Sequence, residues 1–142
     1  MTKIDFYITQ VAERLELLTF ACRLTEKALR QRHRVYLHTG DTQTMQQLDE
    51  LLWTFRSSSF IPHRCQGDEH APAQCDVLLG CTGDPGDHDD VLINLDSEQP
   101  AFFSRFQRVA EVVAGTEPAI EQSRTRYRFY RDRGYPLKVH KL

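Results

Sequence analysis

The order of the hydrophobic patterns in the first 55 residues constrains the fold more than any other feature of the chain. Residues 4–8 (IDFYI) alternate and are rich in β-branched and aromatic types, which predicts a strand. Residues 14–31 carry apolar side chains at helical spacing, residues 34–38 form a second candidate strand, and residues 42–55 form a second amphipathic helix. Because strands and helices alternate in this way in parallel sheets, the segment predicts an α/β fold.

Two later segments extend the predicted sheet. Residues 76–81 (DVLLGC) and 90–95 (DVLINL) hold continuous apolar runs, which are typical of strands covered on both faces. No internal repeat, low-complexity stretch or convincing domain boundary divides the chain. We therefore predict one domain, residues 1–142, with a three-layer α/β/α arrangement around a mostly parallel sheet that is Rossmann-like but lacks a nucleotide-binding loop.

Two further helices are predicted in the last third of the chain. Residues 101–114 form the first, and Gly115 ends it. Its apolar side chains recur at the spacing of one helix face: Phe102, Phe106, Val109 and Val113. Residues 118–133 form the last helix, which begins at Pro118 and is followed by Gly134.

The glycines are in the wrong places for a nucleotide cofactor. Phosphate-binding glycines belong in the first turn between a strand and a helix, but residues 9–16 (TQVAERLE) contain none. Residues 80–86 (GCTGDPG) have three glycines without the spacing of either phosphate-binding motif, and more acids follow them. We therefore expect no nucleotide cofactor.

The candidate metal ligands are equally unconvincing. Six histidines and cysteines fall within residues 63–88, but none are paired at the spacing of a structural zinc site. The acidic run at residues 87–90 (DHDD) is better explained as a solvated loop, although Asp87, Asp89 and Asp90 leave a hydrolase or nuclease activity with a divalent cation as an alternative. With no nucleophile motif either, we expect neither a bound metal nor an enzyme.

Charge is segregated along the sequence. The net charge is -2, yet residues 41–100 hold two Lys/Arg and twelve Asp/Glu, whereas residues 101–142 hold nine and four. This distribution predicts a basic surface facing one partner, unless folding interleaves the segments. The absence of a long apolar run or a signal-peptide pattern predicts a cytoplasmic protein whose four cysteines stay reduced.

The densest functional signal is RTRYRFYRDRGY at residues 124–135, with five arginines and four aromatics. Helical geometry divides it into two faces. The face that includes Arg126, Phe129, Tyr130 and Arg133 is predicted to pack on the sheet, because two aromatics adjoin there. The other face is predicted to be exposed and consists of Arg124, Tyr127, Arg128 and Arg131.

An exposed basic-aromatic face has three possible explanations. It can bind an acidic peptide through guanidinium groups, it can bind single-stranded nucleic acid through phosphate contacts and stacking, or it can be merely a solvated helix surface. The isoelectric point near 6.3 favours the peptide, because stand-alone nucleic-acid-binding proteins are usually strongly basic.

A second group of aromatics surrounds a serine-rich turn. Trp53 lies one position beside the apolar stripe of its helix, and Phe60 follows three serines in a predicted loop before Pro62. Large aromatics in such positions are typical of protein interfaces, although they can also pack against the edge of the sheet within one molecule.

Three stretches together resemble the chi subunit family of bacterial DNA polymerase III: LDELLWTFRSSSFIPH, DDVLINL and RYRFYRDRGYPL. The resemblance spans most of the chain and implies a non-catalytic adaptor of the clamp-loader complex. It implies binding to the psi subunit and to the acidic C-terminal tail of single-stranded-DNA-binding protein, which ends in phenylalanine. From the residues themselves, we expect no cofactor and no metal.

The same resemblance assigns candidate residues to each partner. For psi they are Trp53, Phe60 and Pro62. For the tail they are Arg124, Tyr127, Arg128 and, on the same helix face, Arg131. Ile120 stands where some relatives carry lysine, and Asp132 stands where some carry an apolar residue. Direct binding of single-stranded nucleic acid by the same arginines is the alternative function.

Overall fold

The structure is a computed structural model that describes residues 1–56, 61–67, 75–81 and 83–142. Seven strands, three helices and one 3₁₀ turn succeed one another in these ranges. In chain order they are β1 (Lys3–Ile8), α1 (Arg14–Arg30), β2 (Val35–His38), α2 (Thr42–Thr54), β3 (Arg64–Cys65), β4 (Val77–Gly80), β5 (Val91–Asn94), the 3₁₀ turn (Phe103–Arg105), β6 (Arg108–Val113), α3 (Glu117–Asp132) and β7 (Leu137–Lys141).

The strands form one sheet in the order β3-β4-β2-β5-β6-β1-β7. Every strand pair in the described ranges is parallel, which confirms the predicted α/β class. The first strand lies between two strands from the last third of the chain. Lys3 is opposite Arg108 of β6, and Ile4 is opposite Leu137 of β7.

The helices cover the sheet from both sides, so the predicted three-layer arrangement is confirmed. Residues of α1 and α2 share one hydrophobic cluster with Val35 and Leu37 of β2. Residues of α3 share a second cluster with Ile4 and Phe6 of β1 on the opposite face. We call these the α1 face and the α3 face of the sheet. Successive strand residues alternate between the two faces.

The second and third helices begin at side-chain caps. The carboxylate of Asp41 accepts a hydrogen bond from the Thr44 backbone N–H at 2.7 Å, and this bond lowers the pKa of Asp41. The hydroxyl of Thr116 accepts one from the Ala119 N–H at 3.4 Å. In α1 the buried residues are Leu18, Ala21, Cys22 and Thr25, which recur at the spacing of one helix face.

The predicted helix at residues 101–114 is wrong. This segment forms the 3₁₀ turn and then β6, whose six residues include three valines. Valine loses side-chain freedom in a helix and fits a pleated surface well, and β6 pairs with a strand on each side. The apolar residues that suggested the helix do pack in the α3-face cluster, so the expected burial was right although the backbone was not.

Two strands were not predicted, β3 and β7. The first has only two residues, and the second is mostly exposed at the edge of the sheet. Neither therefore has the strong apolar signature on which sequence patterns depend. In the described ranges, none of the helices is both long and apolar enough to cross a membrane.

Candidate protein-interaction site

The last helix, α3, rests on the sheet through an inner face that carries polar groups. Its three buried residues are Ser123, Arg126 and Tyr130. The Tyr130 hydroxyl donates a hydrogen bond of 2.6 Å to Oε2 of Glu111, which projects from β6. Burial and the neighbouring carboxylate raise the pKa of Tyr130, so its hydroxyl remains a donor.

Arg126 and Glu111 form a buried ion pair beneath α3. Their side chains are only 4% and 0% exposed, and Arg126 Nε lies 3.0 Å from Glu111 Oε1. Asn94 donates a further hydrogen bond of 2.9 Å to the same oxygen, and Arg126 Nη1 donates one of 2.6 Å to the Ser97 carbonyl. Burial raises the pKa of Glu111, and the Arg126 guanidinium opposes that effect. The pair fixes α3 in register with β5 and β6.

The outer flank of α3 carries the predicted row of arginines, and all three are exposed. Arg124 Nη1 lies 3.1 Å from Glu121, and Arg131 Nη2 lies 3.1 Å from Asp132. Arg128 differs, because its one hydrogen bond within the described residues is a 3.4 Å contact to the Thr125 hydroxyl. No carboxylate of the described chain lies within ion-pair distance of it. We call Arg124, Tyr127, Arg128 and Arg131 the α3 flank.

Tyr127 is half-buried rather than fully exposed as predicted. Its ring centroid lies 5.7 Å from that of Phe6 in β1. Val139 of β7 is opposite Phe6 in the sheet and is itself 44% exposed. The α3 flank therefore lies beside the β7 edge, where Tyr127 and Val139 offer apolar surface next to guanidinium groups.

The two positions that depart from some relatives have different surroundings. Ile120 is half-buried and packs against the α3-face cluster, so it serves the core. Asp132 is exposed and holds Arg131 through an ion pair, so it reduces the positive charge at one end of the α3 flank.

A second candidate surface lies at the end of α2. Trp53 is 46% exposed and packs on the ring of His63, with centroids 4.7 Å apart. His63 is buried, and its two ring nitrogens lie 2.7 Å from the Ile61 carbonyl and 2.5 Å from Asp49 Oδ1. Pro62, which stands between Ile61 and His63 in the sequence, is exposed. We call Trp53 and Pro62 the α2-end surface.

One residue predicted for this surface, Phe60, lies outside the described residues. The chain nevertheless returns to α2 directly afterwards, because the Ile61 N–H donates a hydrogen bond of 3.2 Å to the Leu52 carbonyl. Trp53, Pro62 and His63 are thereby brought together from two segments. Trp53 and Pro62 were predicted for this surface from the sequence. The support of the tryptophan ring by His63 was not predicted.

Two carboxylates of the acidic loop before β5 already have partners within the protein. Asp87 lies 3.6 Å from Arg34 Nη1, and Asp90 lies 3.0 Å from both the His33 ring and the Arg34 backbone nitrogen. Within the described ranges, no three His, Cys, Asp or Glu side chains are grouped as a metal site would require. The loop therefore offers no arrangement that favours the divalent-cation alternative.

The buried Glu111–Arg126 pair was missed at the sequence level. The spacing correctly assigned Arg126 to the core-directed face, but it gave no indication that the guanidinium group is buried. A lone Glu among the valines of RVAEVV was the available signal, because a buried carboxylate requires a partner.

Comparison with known proteins gives a consistent result. The family model of the DNA polymerase III chi subunit, HolC, matches residues 1–138. The chain is 48% identical to the DNA polymerase III subunit chi of Pseudomonas aeruginosa, over 100% of this chain and 98% of that protein. It is 26% identical to the subunit chi of Haemophilus influenzae, over 97% and 96% of the two chains. It is also 26% identical to the subunit chi of Escherichia coli, over 83% and 80%. An accessory subunit of the replicative polymerase would need binding surfaces of the kind just described, and these matches establish that the chain belongs to the DNA polymerase III chi subunit family.

Proposed function

We propose that the protein is a non-catalytic adaptor of the cytoplasmic clamp-loader complex. The α3 flank binds the acidic C-terminal tail of single-stranded-DNA-binding protein, and the α2-end surface binds the psi subunit. The observation that carries the first part is Arg128, an exposed guanidinium with no carboxylate partner in the described chain, beside the half-buried Tyr127.

The electrostatics of the α3 flank suit exchange with a partner. The Arg124–Glu121 and Arg131–Asp132 pairs are both more than half exposed, and exposed pairs of this kind contribute only about 0–1 kcal/mol. A tail carboxylate can therefore replace an internal partner at little cost. Arg128 needs no such exchange, so it is the strongest anchor of the row.

The neighbouring apolar surface supplies the other half of the recognition. Burial of a terminal phenylalanine ring stabilises a complex by ~2–3 kcal/mol, and each charge-assisted hydrogen bond adds ~1.5–3 kcal/mol before ordering costs. Tyr127 and Val139 supply apolar surface beside the arginines, and we expect such a ring to pack there. After the cost of association, a micromolar affinity of about -8 kcal/mol is reasonable. Several tails on one multimeric protein would strengthen the attachment through effective concentration.

The α2-end surface has the features of an interface anchor. Trp53 is large, aromatic and 46% exposed, and it is held in one orientation by the buried His63. Tryptophan is the residue type most enriched among interface hot spots. Because the ring is supported from below, little side-chain freedom is lost when a psi-type partner covers it.

The test is a pair of substitutions with opposite effects. Arg128→Ala should weaken binding of a labelled acidic peptide ending in phenylalanine by about tenfold or more, because it removes a charge-assisted contact. It should leave binding of the psi subunit unchanged. Trp53→Ala should do the reverse. Fluorescence anisotropy measures the peptide, and calorimetry measures the psi complex.

Arg133→Ala is the matched control. Arg133 follows α3, but its guanidinium lies over the ring of Phe129 at 3.6 Å, on the other flank. It should change peptide affinity by no more than about twofold, since it touches only the rim of the charged region. Equal losses in Arg128→Ala and Arg133→Ala would mean that the peptide senses only general charge, which would contradict the proposal. The proposal would also be contradicted if the peptide bound neither the unmodified protein nor either variant.

A further inference from the structure

We propose that the α1 face of the sheet carries a second binding groove, beside β7, that accepts the phosphate groups of a single-stranded nucleic acid. The groove has a volume of about 450 Å³, and none of its lining residues belongs to the α3 flank or to the α2-end surface. Its cationic lining residues are Lys3 of β1, Lys27 of α1, Arg108 of β6 and Lys138 of β7. It is distinct from the α3 flank, which lies on the other face.

The charge balance of this groove is positive. Its one carboxylate is Asp5, which lies 3.7 Å from Arg108 Nε and 3.0 Å from His140 Nε2. Asp5 is therefore already matched from within the groove. Lys3, Lys27 and Lys138 are exposed and have no ion-pair partner in the described parts of the chain. Three ammonium groups from three separate elements thus converge on one concave surface without a counter-charge.

The floor of the groove is aromatic. Tyr7 and His140 are opposite each other in β1 and β7, and their rings are stacked at 4.7 Å with an angle of 10° between their planes. The His140 side chain is one third exposed, so the stacked pair is accessible from the groove. Cations that follow a backbone next to rings on which bases can stack are the two components of single-strand recognition.

The basic surface continues beyond the first groove. An adjoining hollow of about 570 Å³ shares Lys3 and Arg108 with it and also includes Arg105. Two acids limit the charge there, because Arg105 pairs with Asp84 at 2.9 Å and the hollow includes Asp90. The adjoining hollow therefore lengthens the surface, but the unpaired lysines remain the centre of the proposed site.

The chemistry favours phosphate over a peptide carboxylate. Recognition of carboxylates benefits from the two-pronged guanidinium group, which predominates on the α3 flank. In the groove the one arginine is engaged by Asp5, and the unpaired cations are lysines, which bind phosphate as compact point charges. With a net charge of -2 on the whole chain, affinity should be modest and strongly dependent on salt.

The decisive experiment uses the double variant Lys27→Glu/Lys138→Glu and the matched control Lys141→Glu. Lys141 is also an exposed lysine of β7, but it is opposite Ile8 and so faces the α3 side of the sheet. Binding of a fluorescent oligothymidylate of about 20 nucleotides is measured by anisotropy over a range of salt concentrations. Circular dichroism and a thermal melt check that all proteins are folded.

The proposal expects the double variant to bind at least about tenfold more weakly at low salt. Its log–log salt slope should also fall by about 1.4, because each lost phosphate contact on a single strand contributes about 0.7. Lys141→Glu should remain within about twofold of the unmodified protein. Tail-peptide binding by the double variant should be unaffected, since the two surfaces lie on opposite faces of the sheet.

Three results would overturn the proposal. The first is an unmodified protein that binds no oligonucleotide at low salt. The second is a loss per reversed lysine that is as large in Lys141→Glu as in the double variant, which would indicate diffuse attraction without a site. The third is displacement of the oligonucleotide by a polyglutamate peptide at equal charge concentration, which would identify the occupant as an acidic protein segment.

Discussion

At the scale of single residues, the buried His38 makes the stability of the fold depend on pH. It is buried at the carboxyl end of β2, with Nε2 at 3.5 Å from Asp96 Oδ2. Burial lowers the pKa of His38, and Asp96 opposes this effect without overcoming it. The unfolded chain therefore binds a proton near pH 6.5 that the folded chain accepts only at lower pH. Stability should fall as the pH drops below about 6.5.

Substitution of this histidine should reduce the loss of stability that occurs at acidic pH. His38→Gln carries no titrating group, so the free energy of unfolding should fall less between pH 7.5 and about pH 5 than in the unmodified protein. Urea unfolding at the two pH values measures the difference. Some dependence should remain, because burial and Arg34 also lower the pKa of His88. An unchanged pH dependence in His38→Gln would show that His38 is not a source of it.

At the scale of elements, the attachment of α3 depends on a charge that is hidden from water. Glu111 is completely buried, and Arg126 is its one cationic partner among the described residues. Removal of one member of a buried pair leaves the other uncompensated, which usually costs 3–5 kcal/mol, roughly. Replacement of both members by apolar residues of similar volume often costs much less.

Arg126→Met should therefore destabilise the protein by about 3–5 kcal/mol. Glu111→Leu/Arg126→Met should recover only part of that loss, because Tyr130 and Asn94 then lose the carboxylate to which they donate hydrogen bonds. Chemical unfolding monitored by circular dichroism measures both. Gln122→Met, at an exposed position of the same helix, is the control and should change stability by no more than about 0.5 kcal/mol. A double variant no more stable than Arg126→Met would show that the unpaired charge of Glu111 is not the main cause of the loss.

The elements also show where sequence patterns are informative. All three helices and four strand segments were predicted close to their observed bounds, because each carries a repeated local signal. β6 was mistaken for a helix because Phe102, Phe106, Val109 and Val113 happen to recur at helical spacing. All four pack in one core, but they reach it from a turn and a strand. β7 was missed because its place is determined by pairing with β1, more than 100 residues away in sequence.

The candidate site was predictable in outline for similar reasons. Helical geometry separated the exposed Arg124, Arg128 and Arg131 from the buried Tyr130, as observed. It could not show that Arg128 lacks an internal carboxylate or that Tyr127 leans on Phe6, because both depend on how α3 is rotated on the sheet. The groove on the α1 face beside β7 could not be predicted from the sequence, since its cationic residues come from four separate elements.

At the scale of the whole molecule, the two proposed protein surfaces are far apart. The α2-end surface adjoins β3, and the α3 flank adjoins β7, and these strands form opposite edges of the sheet. Six spacings of about 4.8 Å separate them, or roughly 29 Å. The helices concerned also pack on opposite faces. Neither partner should therefore obstruct the other.

This separation predicts independent binding. The affinity for the acidic tail peptide should change by less than about twofold when the psi subunit is already bound, because no contact is shared. Titration of the labelled peptide into the free protein and into its psi complex provides the comparison. A change of tenfold or more in either direction would reveal coupling of about 1.4 kcal/mol between the two edges and would refute simple co-occupancy.

The position of β1 between β6 and β7 has a consequence for assembly. Tyr127 rests on Phe6, so the α3 flank is supported by a strand from the other extremity of the described chain. Long-range pairings of this kind form late in folding, because the entropy of closing a large loop must be overcome first. A copy that has lost β1 through proteolysis would therefore lose the ring that supports Tyr127, even though the whole of α3 would still be present.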